Sequence, residues 1–293
     1  MKIVTDNACD IPAEKSRKLG IVKVPLSLSF NGVVYKDSND VDPGFFYRQL
    51  RENPDLFPTT SQPSVGEFVK AYEDLVQAGH EILSVHISSG LSGTYQSALA
   101  AAEIVRQRFP ECKIHLWDTR TLSVAEGWQV LAAFSLDKAG KNLDEIRQTL
   151  SHLRDNTKFY FTLDTLKYLI HGGRISHIKG LIASMLNIRP IITVDPDGKY
   201  IDAGKYISFK RALQGMAPVI QKRFDAARRL RVQVVHGENW AGVDTLVGLL
   251  KEHFQCQLDP IVQGDVALGA HVGDCIVGLA VGYADEIPSM QAA

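Results

Sequence analysis

The sequence predicts an α/β fold of two α/β domains, the first (residues 1–157) with a largely parallel sheet and the second (residues 158–293) with a mixed sheet. Three observations lead there. Short apolar runs alternate with helical stretches through the first half, the pattern of a parallel sheet with crossover helices. Polar turns at Asp6–Asp10, Ser88–Thr94 and Asp118–Thr119 each follow the carboxyl end of such a run, the edge where open α/β sheets bind ligands. Asp155-Asn156-Thr157 then breaks a helix, and strands joined by the turn Asp195-Pro196-Asp197-Gly198 begin a second sheet.

In order, Lys2–Thr5 is a predicted strand, and Pro12 opens a predicted helix over Ala13–Leu19 that Gly20 closes. Ile21–Phe30 reads as one strand, returned by Asn31-Gly32 as a hairpin through Val33-Val34-Tyr35. A helix is expected over Pro43–Arg51. Its Phe45, Phe46 and Tyr47 cannot all face one core, because successive helical residues point in different directions. Ser64 with Glu67 fits a capping box for a helix over Val65–Ala78, leaving Thr60 and Ser61 free ahead of it. A strand over Glu81–Ile87, a helix over Thr94–Arg108, a strand over Lys113–Trp117 and helices over Leu122–Ala139 and Leu143–Leu153 follow. The second half begins with a strand over Lys158–Leu163 and a short helix over Thr165–Ile170, ended by Gly172-Gly173. A helix over Lys179–Leu186 presents Leu181, Ile182, Met185 and Leu186 on one apolar face. Strands are expected at Arg189–Val194 and Lys199–Ile207, then a helical region Lys210–Ala227 that Pro218 should break or kink. The chain closes with a strand at Arg231–His236, a helix at Trp240–Phe254, a strand at Leu258–Val262, a glycine-flanked loop at Leu268–Gly273 and a strand at Cys275–Val281.

Composition narrows the function. The chain is 45% hydrophobic and 22% charged, normal for a soluble domain with a sizeable core. A net charge of −1 announces neither a nucleic-acid nor a membrane partner. Met1–Asp6 is too polar for a signal peptide, and no apolar run reaches transmembrane length. Cys9, Cys112, Cys256 and Cys275 form no CxxC pair, which argues for reduced thiols in the cytoplasm and against a zinc site.

The chemistry centres on Ile87–Ala98, where an apolar strand passes through a Gly/Ser turn into a helix. Such a junction aims backbone N–H groups and the positive helix end at one spot, a receptor for an anion. Gly90 and Ser92 begin a nucleophile elbow, but Thr94 stands where its second glycine belongs. His271 follows Ser92 in chain order as a candidate base, so a serine esterase acting on a lipid-like ester through Ser92 and His271 is the alternative reading. Gly93 is not followed by the Lys-Ser/Thr pair of a P-loop, and no GxGxxG follows the first strand. No cofactor, metal or catalytic residue is therefore expected. What remains is a site for a small anion: hydroxyls of Thr60, Ser61 and Ser92, the N–H groups near Gly93 and Thr94, and Arg174 or His271. Hydrogen bonds to a charged group contribute about 1.5–3 kcal/mol each, and an apolar tail adds about 0.8 kcal/mol per buried CH₂. A third reading is a protein-docking face made of Lys210, Arg211, Lys222, Arg223, Arg228, Arg229 and Arg231.

Five ordered motifs resemble one family. Thr5-Asp6-Asn7-Ala8-Cys9-Asp10 is similar to a TDSxxD opening, and Thr60–Ser64, Ile87–Thr94, Gly172–Ile175 and Pro190–Ile192 follow in the expected order. Together they resemble the DegV family over nearly the whole chain. The resemblance implies a long-chain fatty acid held between the two domains by a lipid carrier, with some members presenting the acid to a separate fatty acid kinase. It implies that Thr60 and Ser92 bond the carboxylate, with Ser61 and the Gly93 backbone adjacent and Arg174 and His271 approaching from the second domain. The family's late His-x-Gly-Pro-Gly motif reads His271-Val272-Gly273-Asp274-Cys275 here.

Overall fold

A computed structural model describes residues 1–177 and 188–288. The first half contains β1 (Lys2–Asp6), α1 (Ala13–Leu19), β2 (Val22–Val24), β3 (Ser27–Phe30), β4 (Val33–Tyr35), α2 (Pro43–Glu52), β5 (Thr59–Ser61) and α3 (Val65–Gln77). It continues with β6 (Ile82–His86), α4 (Thr94–Arg108), β7 (Ile114–Asp118), α5 (Ser123–Lys138) and α6 (Leu143–Asn156). The second half holds β8 (Lys158–Thr162), α7 (Lys167–His171), β9 (Arg189–Val194), β10 (Tyr200–Tyr206), α8 (Phe209–Gln221), β11 (Leu230–His236), α9 (Trp240–His253), β12 (Cys256–Leu258), β13 (Val262–Gln263), α10 (Val266–Val272) and β14 (Val277–Tyr283). The Lys179–Leu186 helix, with Leu181, Ile182, Met185 and Leu186, lies outside the described residues.

Three sheets organise these elements. β2-β1-β6-β7 is parallel throughout. β10-β9-β8-β14-β11-β12, with β13 also on β11, is mixed: β11 pairs parallel with β12 and β13, and the remaining pairs are antiparallel. The parallel sheet thus draws every strand from before Thr157, and the mixed sheet draws every strand from after it. The small antiparallel sheet β4-β3-β5 comes from the first half, yet α10 of the second half packs on it and on α2. α3 and α4 cover one face of the parallel sheet, and α8 and α9 cover the outer face of the mixed sheet.

Between the two sheets runs α5, touching β1 and β6 on one side and β11 and β14 on the other. Every residue from Ser123 to Phe134 is buried. A helix enclosed on all sides has no polar face to display, and its run is mostly Ala, Val, Leu, Trp and Phe, with Glu126 and Gln129 buried among them. Trp128 reaches the mixed sheet, its Nε1–H donating to Gln233 Oε1 at 2.8 Å.

Four sequence expectations change. Ile21–Phe30 is two strands, because Pro25 offers no N–H to a ladder: β2 stays in the parallel sheet and β3 crosses to the small one. Leu258–Val262 likewise splits into β12 and β13 around Asp259-Pro260-Ile261. α8 passes through Pro218 and stops one turn later at Gln221, short of Ala227. Leu268–Gly273 is not a loop but most of α10: Asp265 caps it by accepting the Ala267 N–H at 2.8 Å, and Val266 and Ala270 bury against the small sheet. Packing overrides the weak helix propensity of Gly269. The Asn31-Gly32 hairpin forms as expected, with both residues at positive φ (50° and 76°).

Candidate functional site

The turn after β6 distributes its hydroxyls among three tasks. Ser88 Oγ donates to the Gly198 carbonyl at 2.7 Å, pinning the β9–β10 turn to the first half. Ser89 Oγ donates to Asp118 at 2.5 Å. Ser92 bonds only within its own turn and lines the cavity: its Oγ lies 2.9 Å from Thr94 Oγ1 and accepts the Thr94 N–H at 3.3 Å. Gly93 occupies the N-cap of α4 and supplies no capping side chain, so the positive end of this helix stays open for an acceptor.

Four of the sequence-predicted residues meet at one cavity: Thr60, Ser92, Arg174 and His271. Thr60 Oγ1 and His271 Nε2 are 2.7 Å apart, joining β5 to the last turn of α10. Arg174 donates from Nη1 to the Gly172 carbonyl at 2.6 Å, and among the described residues no carboxylate pairs with it. The fixed positive charge therefore stands beside the hydroxyls of Thr60 and Ser92 with no carboxylate partner among the described residues. Thr94 is fully buried beneath Ser92, and Gly93 lies against the Gln62 side chain, which a Cβ would strike. Neither of these two, nor Ser61, is part of the cavity wall. Ser61 is exposed, on the opposite side of β5 from Thr60, as strand alternation requires.

The cavity is narrow, with about 60 Å³ of space open to a water-sized molecule, well under the about 300–1,000 Å³ usual for small-molecule pockets. Leu26, Leu91, Leu122, Phe161, Val235 and Ile276 make most of its wall apolar. Five polar lining residues escaped the sequence reading, Gln62, Tyr47, Ser123, Tyr200 and His236, the last with neither ring nitrogen hydrogen-bonded among the described residues. Gln62 sits beside the Thr60-Ser61 pair and could have been found there. Tyr47, one of the three adjacent aromatics, lines the cavity and donates to the Gly264 carbonyl at 3.0 Å. Tyr200 gave no sequence signal. At another wall lies Asp10, whose carboxyl accepts from Ser123 Oγ at 2.5 Å and from the Asp265 N–H at 2.7 Å. Burial pushes its pKa up to about 7.

Burial, with Arg174 nearby, lowers the His271 pKa to about 4. Its Nδ1 has no hydrogen-bond partner among the described residues and packs against Gly172, where no side chain fits. The folded protein thus holds the ring neutral, whereas an unfolded histidine titrates near about 6.5. Because the folded pKa is the lower one, this contribution to stability is complete above about 6.5 and is lost as pH falls toward 4. Between pH 6.5 and 4, wild type should lose on the order of 3 kcal/mol relative to His271→Gln, read by urea unfolding at a series of pH values. The raised carboxyls Asp10 and Asp265 act in the opposite direction, costing stability as pH rises. They are common to both proteins and cancel in the difference.

The esterase constellation is not assembled: His271 bonds Thr60 rather than Ser92, and among the described residues no acid orients its other nitrogen. A Ser-His-Asp chain does exist elsewhere, Ser84 Oγ to His86 Nε2 at 2.6 Å and His86 Nδ1 to Asp6 Oδ2 at 2.9 Å. All three residues are fully buried, and the Tyr72 hydroxyl occupies Ser84, so the chain ties strands together and meets no substrate. The basic docking face is also broken up. Arg231 is buried on Asp259, and Arg228 pairs with Asp285 and Glu286. Among the described residues no helix is long and apolar enough to cross a membrane.

Known proteins share this architecture. A family model described as "Uncharacterised protein, DegV family" matches residues 1–283. A DegV domain-containing protein of Staphylococcus aureus is 34% identical over 279 residues, covering 95% of this chain and 97% of that one. A solved DegV family protein of Thermus thermophilus, described as fatty-acid-binding, superposes with a TM-score of 0.86 at 28% identity, covering 96% of this chain and 99% of that one. A stearic-acid-binding protein of Eubacterium ventriosum gives 0.86 at 26% identity, covering 96% and 98%. Bacillus subtilis DegV, described as a fatty acid binding protein, gives 0.83 at 27%, again covering 96% and 98%. Matching sequence along 1–283 and matching folds over nearly the full length leave one assignment: the chain belongs to the DegV family.

Proposed function

We propose that this protein binds a long-chain fatty acid and acts as a carrier without catalysis of its own. The carboxylate sits at the open end of α4, bonded by Ser92 and Thr60 and by the N–H groups near Gly93 and Thr94. Ser61 stands adjacent, and Arg174 and His271 complete the site from the second half. Residues 1–157 supply the anion site, residues 158–293 cover the tail, and the loaded protein presents its acid to a fatty acid kinase. The observation that supports this best is Arg174, a guanidinium that has no carboxylate partner among the described residues, at the edge of a mostly apolar cavity. An uncompensated cation beside such a wall is matched by an anion with a hydrophobic tail. The fatty-acid-binding relatives support the same reading.

Native mass spectrometry of the purified protein, followed by organic extraction, should release one fatty acid per chain. Ser92→Ala should weaken fatty acid binding about tenfold or more while the fold persists, since a hydrogen bond to a charged group is lost. Unchanged affinity removes Ser92 from the site.

A further inference from the structure

Thr60 and Gln62 reach the same cavity. Side chains alternate along β5 and the residue that extends it, so Gln62 follows Thr60 to the cavity wall while Ser61 turns away. Exposure separates the two. Thr60, Ser92, Arg174 and His271 are half-buried around the site, whereas Gln62 is exposed at its mouth. The Gln62 side chain lies back across the start of α4. A Cβ built on Gly93 would strike its Oε1 and Nε2 and lie 2.7 Å from its Cδ, so only a glycine at this N-cap lets the amide rest there. The bond that holds the amide is long: Nε2 donates to Ser97 Oγ at 3.4 Å, beyond the usual range of such bonds.

The chemistry of this group suits the place. A side-chain amide carries two N–H donors, and Ser97 takes one of them. It is neutral, so it neither competes with an anion for the positive end of α4 nor is repelled by that end. Thr60 and Ser92 approach the site from the inner wall, and Gln62 approaches it from the solvent side. Resting on the lipid-binding reading above, we propose that Gln62 closes the mouth over the bound carboxylate, donates its second Nε2–H to it and so sets how fast the acid leaves. The long bond to Ser97 fits this role. A cover tied at its tip by one weak contact swings aside for the acid to pass without any change in the strands or helices beneath it.

The test measures palmitic acid and hexadecanol on wild type, Gln62→Met and Gln62→Glu, with calorimetry for affinity and stopped-flow displacement for the dissociation rate. Gln62→Met keeps the length of the side chain and removes its donors. It should weaken palmitic acid about tenfold, mostly through faster dissociation, because one hydrogen bond to a charged group is lost. Gln62→Glu keeps the shape and sets a second carboxylate against the first, so its loss for palmitic acid should exceed that of Gln62→Met. Hexadecanol should bind all three proteins within about twofold, since a neutral headgroup gains little from one exposed donor; that result also shows that the variants fold. Palmitic acid affinity and dissociation at wild-type values in Gln62→Met overturn the inference. Equal losses for acid and alcohol overturn it too, by making Gln62 a packing residue. If wild type binds neither compound, the lipid-binding reading falls and takes this inference with it; if wild type binds palmitic acid and the variants match it, this inference alone is lost.

Discussion

Gly90→Val should destabilise the protein by about 3 kcal/mol, the upper range for overpacking a closed interface. A Cβ built at Gly90 lies 2.7 Å from the Gly198 oxygen, 2.9 Å from its carbon and 3.0 Å from the Asp197 oxygen. All three are backbone atoms, so no rotamer change relieves the collision. The turn they belong to is also held in place by Ser88 and by Arg120, whose Nη1 donates to the Pro196 carbonyl at 3.0 Å. Gly198 itself sits at φ +78°, a conformation that leaves the turn little freedom to retreat. The variant must therefore shift the β9–β10 turn, and β10 carries Tyr200 into the cavity. Urea unfolding should show a lowered midpoint, and lipid affinity should fall with it. A wild-type midpoint would mean that the two turns are not in firm contact.

Arg174→Met should weaken binding of a long-chain fatty acid about a hundredfold, the upper range for a hydrogen bond to a charged group. Among the described residues the side chain makes one hydrogen bond, to the Gly172 carbonyl, so stability should change little. The informative control is a fatty alcohol of the same length. A neutral headgroup gains little from the guanidinium, so its affinity should barely move. Equal losses for acid and alcohol would assign Arg174 a packing role and withdraw the anion site.

The parts of the fold that depend on local chemistry were legible in the sequence. α4 spans Thr94–Arg108 as expected, and the Ser64–Glu67 capping box forms with both of its bonds. Each is fixed by a few adjacent residues and their hydrogen bonds to the backbone. The parts that depend on distant partners were not. Nothing near Leu268–Gly273 announces a helix, because α10 is stabilised by the small sheet and α2 from more than two hundred residues earlier. The site divides in the same way. Ser92 was readable from its turn and Thr60 from its place ahead of a cap. That His271 bonds Thr60 rather than Ser92, and that Ser88 ties the halves together, follow only from how the three sheets dock. Tyr200 lay hidden because one aromatic at the start of a strand looks like any other core residue until the space beside it is seen.

The central helix α5 has a bearing on how cargo could enter. One side seals the parallel sheet and the other seals the mixed sheet, and Trp128 is anchored across the seam. Prising the halves apart would strip shelter from both layers at once, at a cost comparable to unfolding either of them. On the proposed function, loading and unloading would proceed through something smaller, a local parting at the rim while the spine stays shut. For the same reason residues 158–288 expressed by themselves would present the bare underside of their sheet to water, and such a fragment should precipitate in the test tube.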